Sequence, residues 1–240
     1  MSKKKINLKL EKLRRKKNLK LLKSNHVYSE NMEHDACGVG LVSSTDGKKS
    51  RQVVEYGIEA LKAVWHRGAI DADGKTGDGA GIHIEIASDF FIEKIEATGH
   101  KHDNSEVCVG MLFLPRNNYG AQEACRTIVE SELTKSNFNI YGWRQVPVNP
   151  SVLGEKADLN RPEITQVLFK YNDKNEKGKS LEIKLYEARR KIEKKILQEN
   201  LNEFYICSFS SKSIIYKGMF LAESLSDFYL DLKDPWIFKI

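Results

Sequence analysis

Cys37 has the most distinctive chemical setting in this chain, because it opens a run of small and apolar residues that includes Gly38 and Gly40. Cysteine is strongly nucleophilic near neutral pH and needs only partial deprotonation to react. If Cys37 were the first residue of a mature protein, its α-amine, with an ordinary pKa of about 7.7–8.0, could act as base for its thiol. The local pattern alone leaves a second interpretation open, a buried cysteine on a glycine-containing strand.

The charge composition changes at the same point in the chain. Residues 1–36 contain 11 Lys or Arg and 4 Asp or Glu, a net charge of +7, whereas the whole chain carries +6. The difference leaves residues 37–240 at −1. We therefore expect a precursor with two parts, a basic propeptide over 1–36 and a domain over 37–240. Residues 3–23 carry Ile6, Leu10 and Leu13 at helical spacing, so a marginal amphipathic helix, a membrane-surface or nucleic-acid contact, and solvated charge are the alternatives. The absence of aromatic residues before Tyr28 argues against a base-stacking surface, and solvated charge is favoured.

Two features of the glycine-rich stretch 66–81 invite a chemical interpretation. Arg67 could clamp a carboxylate through two parallel hydrogen bonds or brace the loop by donating to its carbonyls, and bracing is favoured. Asp71 and Asp73 are two carboxylates without a third ligand, so we expect them to cap the loop and predict no metal site. The run Gly77-x-Gly79-x-Gly81 lacks the lysine of a phosphate-binding loop and precedes a strand. It therefore predicts a tight turn with close backbone approach.

The other three cysteines, at 108, 125 and 207, lie within strand-like or helical runs. No pair has the CxxC spacing of a zinc or compact iron–sulfur site, and a disulfide framework is not expected in a chain of this size without a secretion signal. We predict that each is a small buried hydrophobic residue.

The periodicity of apolar residues predicts a mixture of helices and antiparallel strands, an α+β protein. Helices are predicted over 51–65, 118–135 and 181–199. Strands are predicted over 37–43, 82–86, 107–114, 140–148, 163–171, 204–209 and 213–216. The last two strands are expected to pair as a hairpin. No run of 18 apolar residues and no apolar core of a secretory signal occurs, so a cytoplasmic location is expected.

Three motifs together resemble one known family. Cys37-Gly-Val-Gly-Leu-Val-Ser, His66-Arg-Gly-Ala-x-x-Ala-Asp and Thr76-Gly-Asp-Gly-Ala-Gly-Ile occur in the order found in the N-terminal amidotransferase domain of the glutamate synthase large chain. The likeness extends from about Glu33 to Pro235. The resemblance implies a class II glutamine amidotransferase with the four-layer αββα N-terminal-nucleophile hydrolase fold.

The resemblance also implies a chemistry and a set of partners. The precursor would be cleaved between Ala36 and Cys37, and Cys37 would attack the side-chain amide of L-glutamine, with Arg67 as a substrate-binding residue. No cofactor is expected in this chain, whereas FMN and an iron–sulfur cluster are implied for the full-length enzyme. The implied partners are the remaining synthase domains with their 2-oxoglutarate site and a small electron-donating subunit, but neither nucleic acid nor a membrane.

One departure from the family pattern concerns the end of the chain. The family's oxyanion-hole Asn-Gly and its glutamine-carboxylate arginine follow the Asp-Leu-x-Asp-Pro region, and this chain stops before either motif. The fold is therefore expected to be incomplete at the C-terminus. Two alternatives stay open, a domain of another class II amidotransferase and a catalytically silent glutamine-sensing or interaction module.

We predict that purified residues 37–240 release negligible ammonia from glutamine. The reason is that one oxyanion donor stabilises the transition state by roughly 2.7–4 kcal/mol, and loss of the carboxylate anchor adds to that deficit. A coupled ammonia assay checks this, and robust turnover by this fragment would contradict it.

Overall fold

The computed structural model describes residues 3–25, 38–64, 70–235 and 237. The chain divides into two compact units, Met1–Cys37 and Gly38–Ile240. In the first unit, helix α1 spans Lys3–Asn25. None of the helices in the described ranges combines the length and apolarity needed to cross a bilayer.

The second unit alternates helices with short strands. Its helices are α2 Arg51–Ala63, α3 Ser88–Ala97, α4 Tyr119–Lys135, α5 Glu155–Leu159, α6 Gly178–Gln198 and α7 Leu225–Phe228. Its strands are β1 Ala80–Glu85, β2 Cys108–Leu114, β3 Phe138–Gln145, β4 Glu163–Tyr171, β5 Tyr205–Ser210 and β6 Ser213–Gly218, and 3-10 turns cover Pro150–Val152, Ala222–Ser224 and Leu230–Lys233.

The strands form two antiparallel sheets. A four-stranded sheet has the order β3-β4-β2-β5, and β1 pairs with β6 in a two-stranded ribbon with His83 opposite Ile215. One apolar core joins helix α2, the ribbon and the four-stranded sheet, and includes Val54, Met111 and Tyr216. A second core lies between the four-stranded sheet and helices α4 and α6. With α2 against β1, the order of layers is helix, ribbon, sheet, helix, which is the αββα arrangement of an α+β fold.

Most of the predicted elements are confirmed. Strand β4 matches the predicted bounds 163–171, and α4, α6 and β2 each lie within three residues of their predicted bounds. The apolar periodicity is clear in α6, which buries one continuous stripe against the sheet.

The predicted hairpin between 204–209 and 213–216 is wrong. Strand β5 pairs with β2, whereas β6 pairs with β1, so the turn between them carries the chain from one sheet to the other. Ser210 Oγ accepts hydrogen bonds from the backbone N–H groups of Lys212 and Ser213 at 2.9 and 3.2 Å. The Glu182 carboxylate accepts from the hydroxyl of Ser210 and from the N–H and hydroxyl of Ser211. The Ser210 and Glu182 side chains thus satisfy polar groups of the turn, so the turn does not depend on a ladder between the two strands.

The predicted strand over 37–43 is also wrong for its described residues, since 38–43 form no strand. Val39 and Leu41 are 92% and 91% exposed. Alternation of apolar residues specifies a strand only where one face has a surface to pack on, and these two side chains have none.

A buried ion pair joins the two sheets to the last turn of the described chain. Arg144 on β3 donates from both terminal nitrogens to the Asp231 carboxylate, at 2.6 and 2.8 Å, and Asp231 is 3% exposed. Arg144 also donates to Gln166 Oε1 on β4 at 2.8 Å, and the Tyr216 hydroxyl on β6 donates to Asp231 at 3.3 Å. Burial lowers the pKa of Arg144, but the hydrogen bonds and charge of Asp231 outweigh it, so the pKa is raised and the guanidinium stays charged.

The same turn is held to the start of α2. The Arg51 guanidinium donates to the carbonyls of Leu232 and Asp234 at 2.7 and 3.1 Å. The Asp231-Leu-x-Asp-Pro sequence therefore has a structural role, because it connects β3, β6 and α2 through one turn.

We predict that Asp231→Ala lowers the free energy of unfolding by about 3–5 kcal/mol, because it leaves the Arg144 charge buried without its partner. Urea unfolding followed by circular dichroism measures the change. Asp227→Ala is the matched control, since its pair with Lys233 lies on the surface with both side chains about half exposed, and it should cost less than about 1 kcal/mol. Equal effects of the two substitutions would contradict the role given to Asp231.

Candidate functional site

The two predicted site residues, Cys37 and Arg67, lie outside the described residues, so the site is described from the segments that flank them. Residues 38–44 continue directly from Cys37, and α2 ends one residue before Val64, close to the start of the stretch that contains Arg67.

Residues 38–44 form one wall of a cavity of about 730 Å³. Helix α2 and strand β1 form the other walls, with apolar side chains such as Val54, Leu61, Ile82 and Ile84. Gly57 lets the helix approach the strand closely, because a Cβ there would lie 3.3 Å from Ile82 Cδ1. The segment that follows the candidate nucleophile thus borders a space large enough for a small substrate.

A second cavity, also of about 730 Å³, borders β1 and shares Gly81, Ile82 and His83 with the first. Its remaining lining is mainly apolar and includes Phe113 and Ile164 of the four-stranded sheet. Strand β1 therefore separates two open spaces, and its only partner within the described ranges is β6.

The loop before β1 is held by Asp73. Thr76 Oγ1 donates to Asp73 Oδ2 at 2.6 Å, and the backbone N–H groups of Thr76 and Lys75 donate to Asp73 Oδ1 at 2.7 and 2.9 Å. These hydrogen bonds, with that of the Thr76 hydroxyl as the largest influence, lower the pKa of Asp73 to about 2. The predicted loop-capping role is therefore confirmed for this carboxylate.

Asp71 is engaged in a similar way. It accepts hydrogen bonds from Lys156 Nζ on α5 and from the N–H of Ala72, both at 2.7 Å, and these lower its pKa. Within the part of the chain that the structure describes, no three His, Cys, Asp or Glu side chains are grouped as metal ligands would be.

The glycines of the loop are required by close backbone approach, as predicted. A Cβ at Gly77 would lie 2.8 Å from the carbonyl oxygen of Phe220, and one at Gly81 would lie 2.8 Å from Lys217 Cβ. Gly79 has φ of +131°, which L side chains rarely adopt. Gly77 is thus packed against the chain that follows β6, and Gly81, in β1, is packed against β6 itself.

Gly154 is a loop contact that the sequence did not indicate. It lies beside the carboxylate of Asp73, where a Cβ would be 2.0 Å from Oδ2 and 2.4 Å from Thr76 Oγ1. Because Gly154 has an ordinary backbone conformation with φ of −75°, only the packing requires glycine. An isolated glycine before a short helix gives no sequence signal for such a contact.

The other three cysteines are buried thiols with low reactivity. Cys108, Cys125 and Cys207 are buried and form no disulfide. Burial raises the pKa of the Cys125 and Cys207 thiols to about 11 and raises that of Cys108 further. All three are protonated near neutral pH, as expected of buried hydrophobic residues.

Comparison with known proteins places this arrangement in a wider group. Residues 37–239 match the model of the class-II glutamine amidotransferases. The chain is 54% identical over 217 residues to the large chain of the NADPH glutamate synthase of Azospirillum brasilense. The aligned region covers 90% of this chain and 14% of that protein.

Two further relatives are ferredoxin-dependent glutamate synthases. That of Cyanidium caldarium is 41% identical over 209 residues, covering 85% of this chain and 13% of its own length. That of Arabidopsis thaliana, glutamate synthase 1, is 38% identical over 204 residues, covering 84% of this chain and 12% of its own length. The chain thus spans about one seventh or less of the curated relatives that it matches.

We predict that Gly154→Ala displaces Asp73 and loosens the 70–77 loop, at a cost of about 1–3 kcal/mol of unfolding free energy from overpacking. Limited proteolysis should show faster cleavage near Lys75, and thermal unfolding should show a lower Tm. Gly120→Ala serves as the control, because its Cβ would meet only Asn118 Oδ1 at 3.6 Å in a helix, and it should be neutral or stabilising. Unchanged proteolysis in the Gly154→Ala protein would contradict the contact.

Proposed function

This chain belongs to the class-II glutamine amidotransferases, and we propose that residues 37–240 form part of the glutamine-hydrolysing site of a glutamate synthase. The observation that carries the proposal is the family match, which starts at Cys37 itself. The relatives described above are glutamate synthases. This favours 2-oxoglutarate as the acceptor of the released ammonia over the acceptor of another class II amidotransferase.

In the proposed reaction, removal of residues 1–36 makes Cys37 the N-terminal residue. Its thiolate attacks the side-chain carbonyl carbon of L-glutamine, and the α-amine takes the thiol proton and passes it to the departing ammonia. Water then attacks the glutamyl thioester, which releases glutamate and restores the thiol. In this proposal glutamine binds in the first cavity, which the 38–44 segment borders, and Arg67 contributes to substrate binding.

The rest of the synthase would use the ammonia. We propose that the domains beyond this chain aminate 2-oxoglutarate with electrons delivered through FMN and an iron–sulfur cluster, and that a small subunit or ferredoxin supplies those electrons. A cytoplasmic location stays a prediction.

The first test is the identity of the N-terminus. Intact-mass spectrometry of the full chain after expression should show loss of residues 1–36, because only then does Cys37 carry a free α-amine. A protein that keeps its leader under all conditions would favour the silent interaction module.

The second test labels the nucleophile with 6-diazo-5-oxo-norleucine, an electrophilic glutamine analogue. We expect one covalent adduct, on Cys37, at neutral pH, because the other three thiols are buried with raised pKa values. A covalent label accumulates, so it detects a slow site that a turnover assay would miss. Cys37→Ser should abolish the adduct and Cys207→Ala should keep it, whereas equal labelling of both variants would contradict the assignment.

A further inference from the structure

The basic leader contains one long helix, α1, which is rich in cations. Helix α1 contains 11 Lys or Arg and one Glu between Lys3 and Asn25. Six cations in its described part have exposed side chains with neither an ion pair nor a hydrogen bond among the described residues: Lys12, Arg14, Arg15, Lys16, Lys17 and Lys20.

These six cations surround the helix. At about 100° per residue, no gap between neighbouring cations exceeds about 100° around the axis. Leu13 and Leu21, 57% and 51% exposed, lie about 80° apart around the axis with Lys17 between them, and Leu19 lies on another side. Within residues 12–21, cations therefore interrupt each apolar sector, whereas a helix that lies on a membrane needs an uninterrupted apolar face.

Like charges repel one another along this helix. Lys12, Lys16 and Lys20 follow one another at intervals of four residues, a spacing at which two equal charges destabilise a helix. A binding partner that brings regularly spaced negative charge would relieve this repulsion. Duplex nucleic acid carries one negative charge per roughly 1.7 Å of its axis.

We propose that α1 of the precursor binds the phosphate backbone of duplex nucleic acid without sequence preference. A helix about 10–12 Å in diameter fits the major groove of B-form DNA, which is about 12 Å wide, and cations on all sides can reach the phosphates of both groove walls. Residues 3–25 contain no aromatic side chain that could stack on a base, so the expected contacts are those of the cations with phosphates.

This inference is independent of the glutamine chemistry and revises the expectation that the leader is only solvated. Because α1 lies within residues 1–36, cleavage before Cys37 would separate it from the rest of the chain. Nucleic-acid binding would then belong to the precursor and be absent from the mature domain.

The test measures fluorescence anisotropy of a labelled mixed-sequence DNA duplex with the full chain, after intact mass has shown that the leader is present. If the six cations contact phosphates, a plot of log binding constant against log salt should have a slope of about −5 or steeper, with an affinity loss of roughly 10³-fold or more between about 50 and 200 mM salt. Replacing all six with Gln should make the slope shallower by about 5.

A charge-matched control replaces six exposed lysines of the second unit with Gln, namely Lys49, Lys101, Lys177, Lys179, Lys194 and Lys212. This control lowers the net charge equally and should bind DNA like the unmodified chain. Circular dichroism should show that the α1 variant keeps its helix, since Gln is a good helix former. Unchanged affinity of the α1 variant would overturn the proposal, as would tighter binding to vesicles of phosphatidylcholine and phosphatidylserine than to DNA.

Discussion

The Arg144–Asp231 ion pair is the contact on which the arrangement of the second unit depends. Two charges taken out of water are costly unless each finds its partner in good geometry, and here the bidentate pairing satisfies both at once. Gln166 and Tyr216 bond to the same pair, so one buried group connects the four-stranded sheet, the ribbon and the 230–233 turn. The carbonyls of that turn then hold Arg51 and with it the start of α2.

The candidate site depends on a second constraint, the close approach of backbones around the loop before β1. Gly77 and Gly81 are packed against the chain at Phe220 and Lys217, and Gly154 is packed against Asp73. Because these contacts involve backbone and short side chains, they leave little freedom for the loop. The segments on either side of the undescribed residues 65–69 are therefore tied to the main core through α2 and β1.

Residue patterns predicted the parts of this fold that are set locally, and missed those set by distant partners. The stripe in α6 follows from burial of one helix face, and the apolar run of β2 follows from burial of both faces of the strand. The role of Asp73 as a loop cap was predicted because Asp71 and Asp73 are two carboxylates without a third ligand. By contrast, the separation of β5 from β6 depends on Glu182, and the need for Gly154 depends on Asp73, so neither could be seen from neighbouring residues. Helix α3, with Phe90 and Phe91 buried, lay in a stretch without a clear pattern.

The pairing of β1 with β6 has a consequence for the order in which the chain can fold. Ala80 lies opposite Gly218, so β1 gains its ladder partner among the described residues only once 213–218 have left the ribosome. Contacts this distant in sequence form slowly, because the loop-closure entropy must be lost before the contact stabilises anything. During synthesis β2, β3 and β4 can already pair with one another, whereas β1 still lacks β6. The ribbon beside the first cavity is therefore expected to form after the pairing of β2 with β4, and β1 is exposed to mispairing in the meantime.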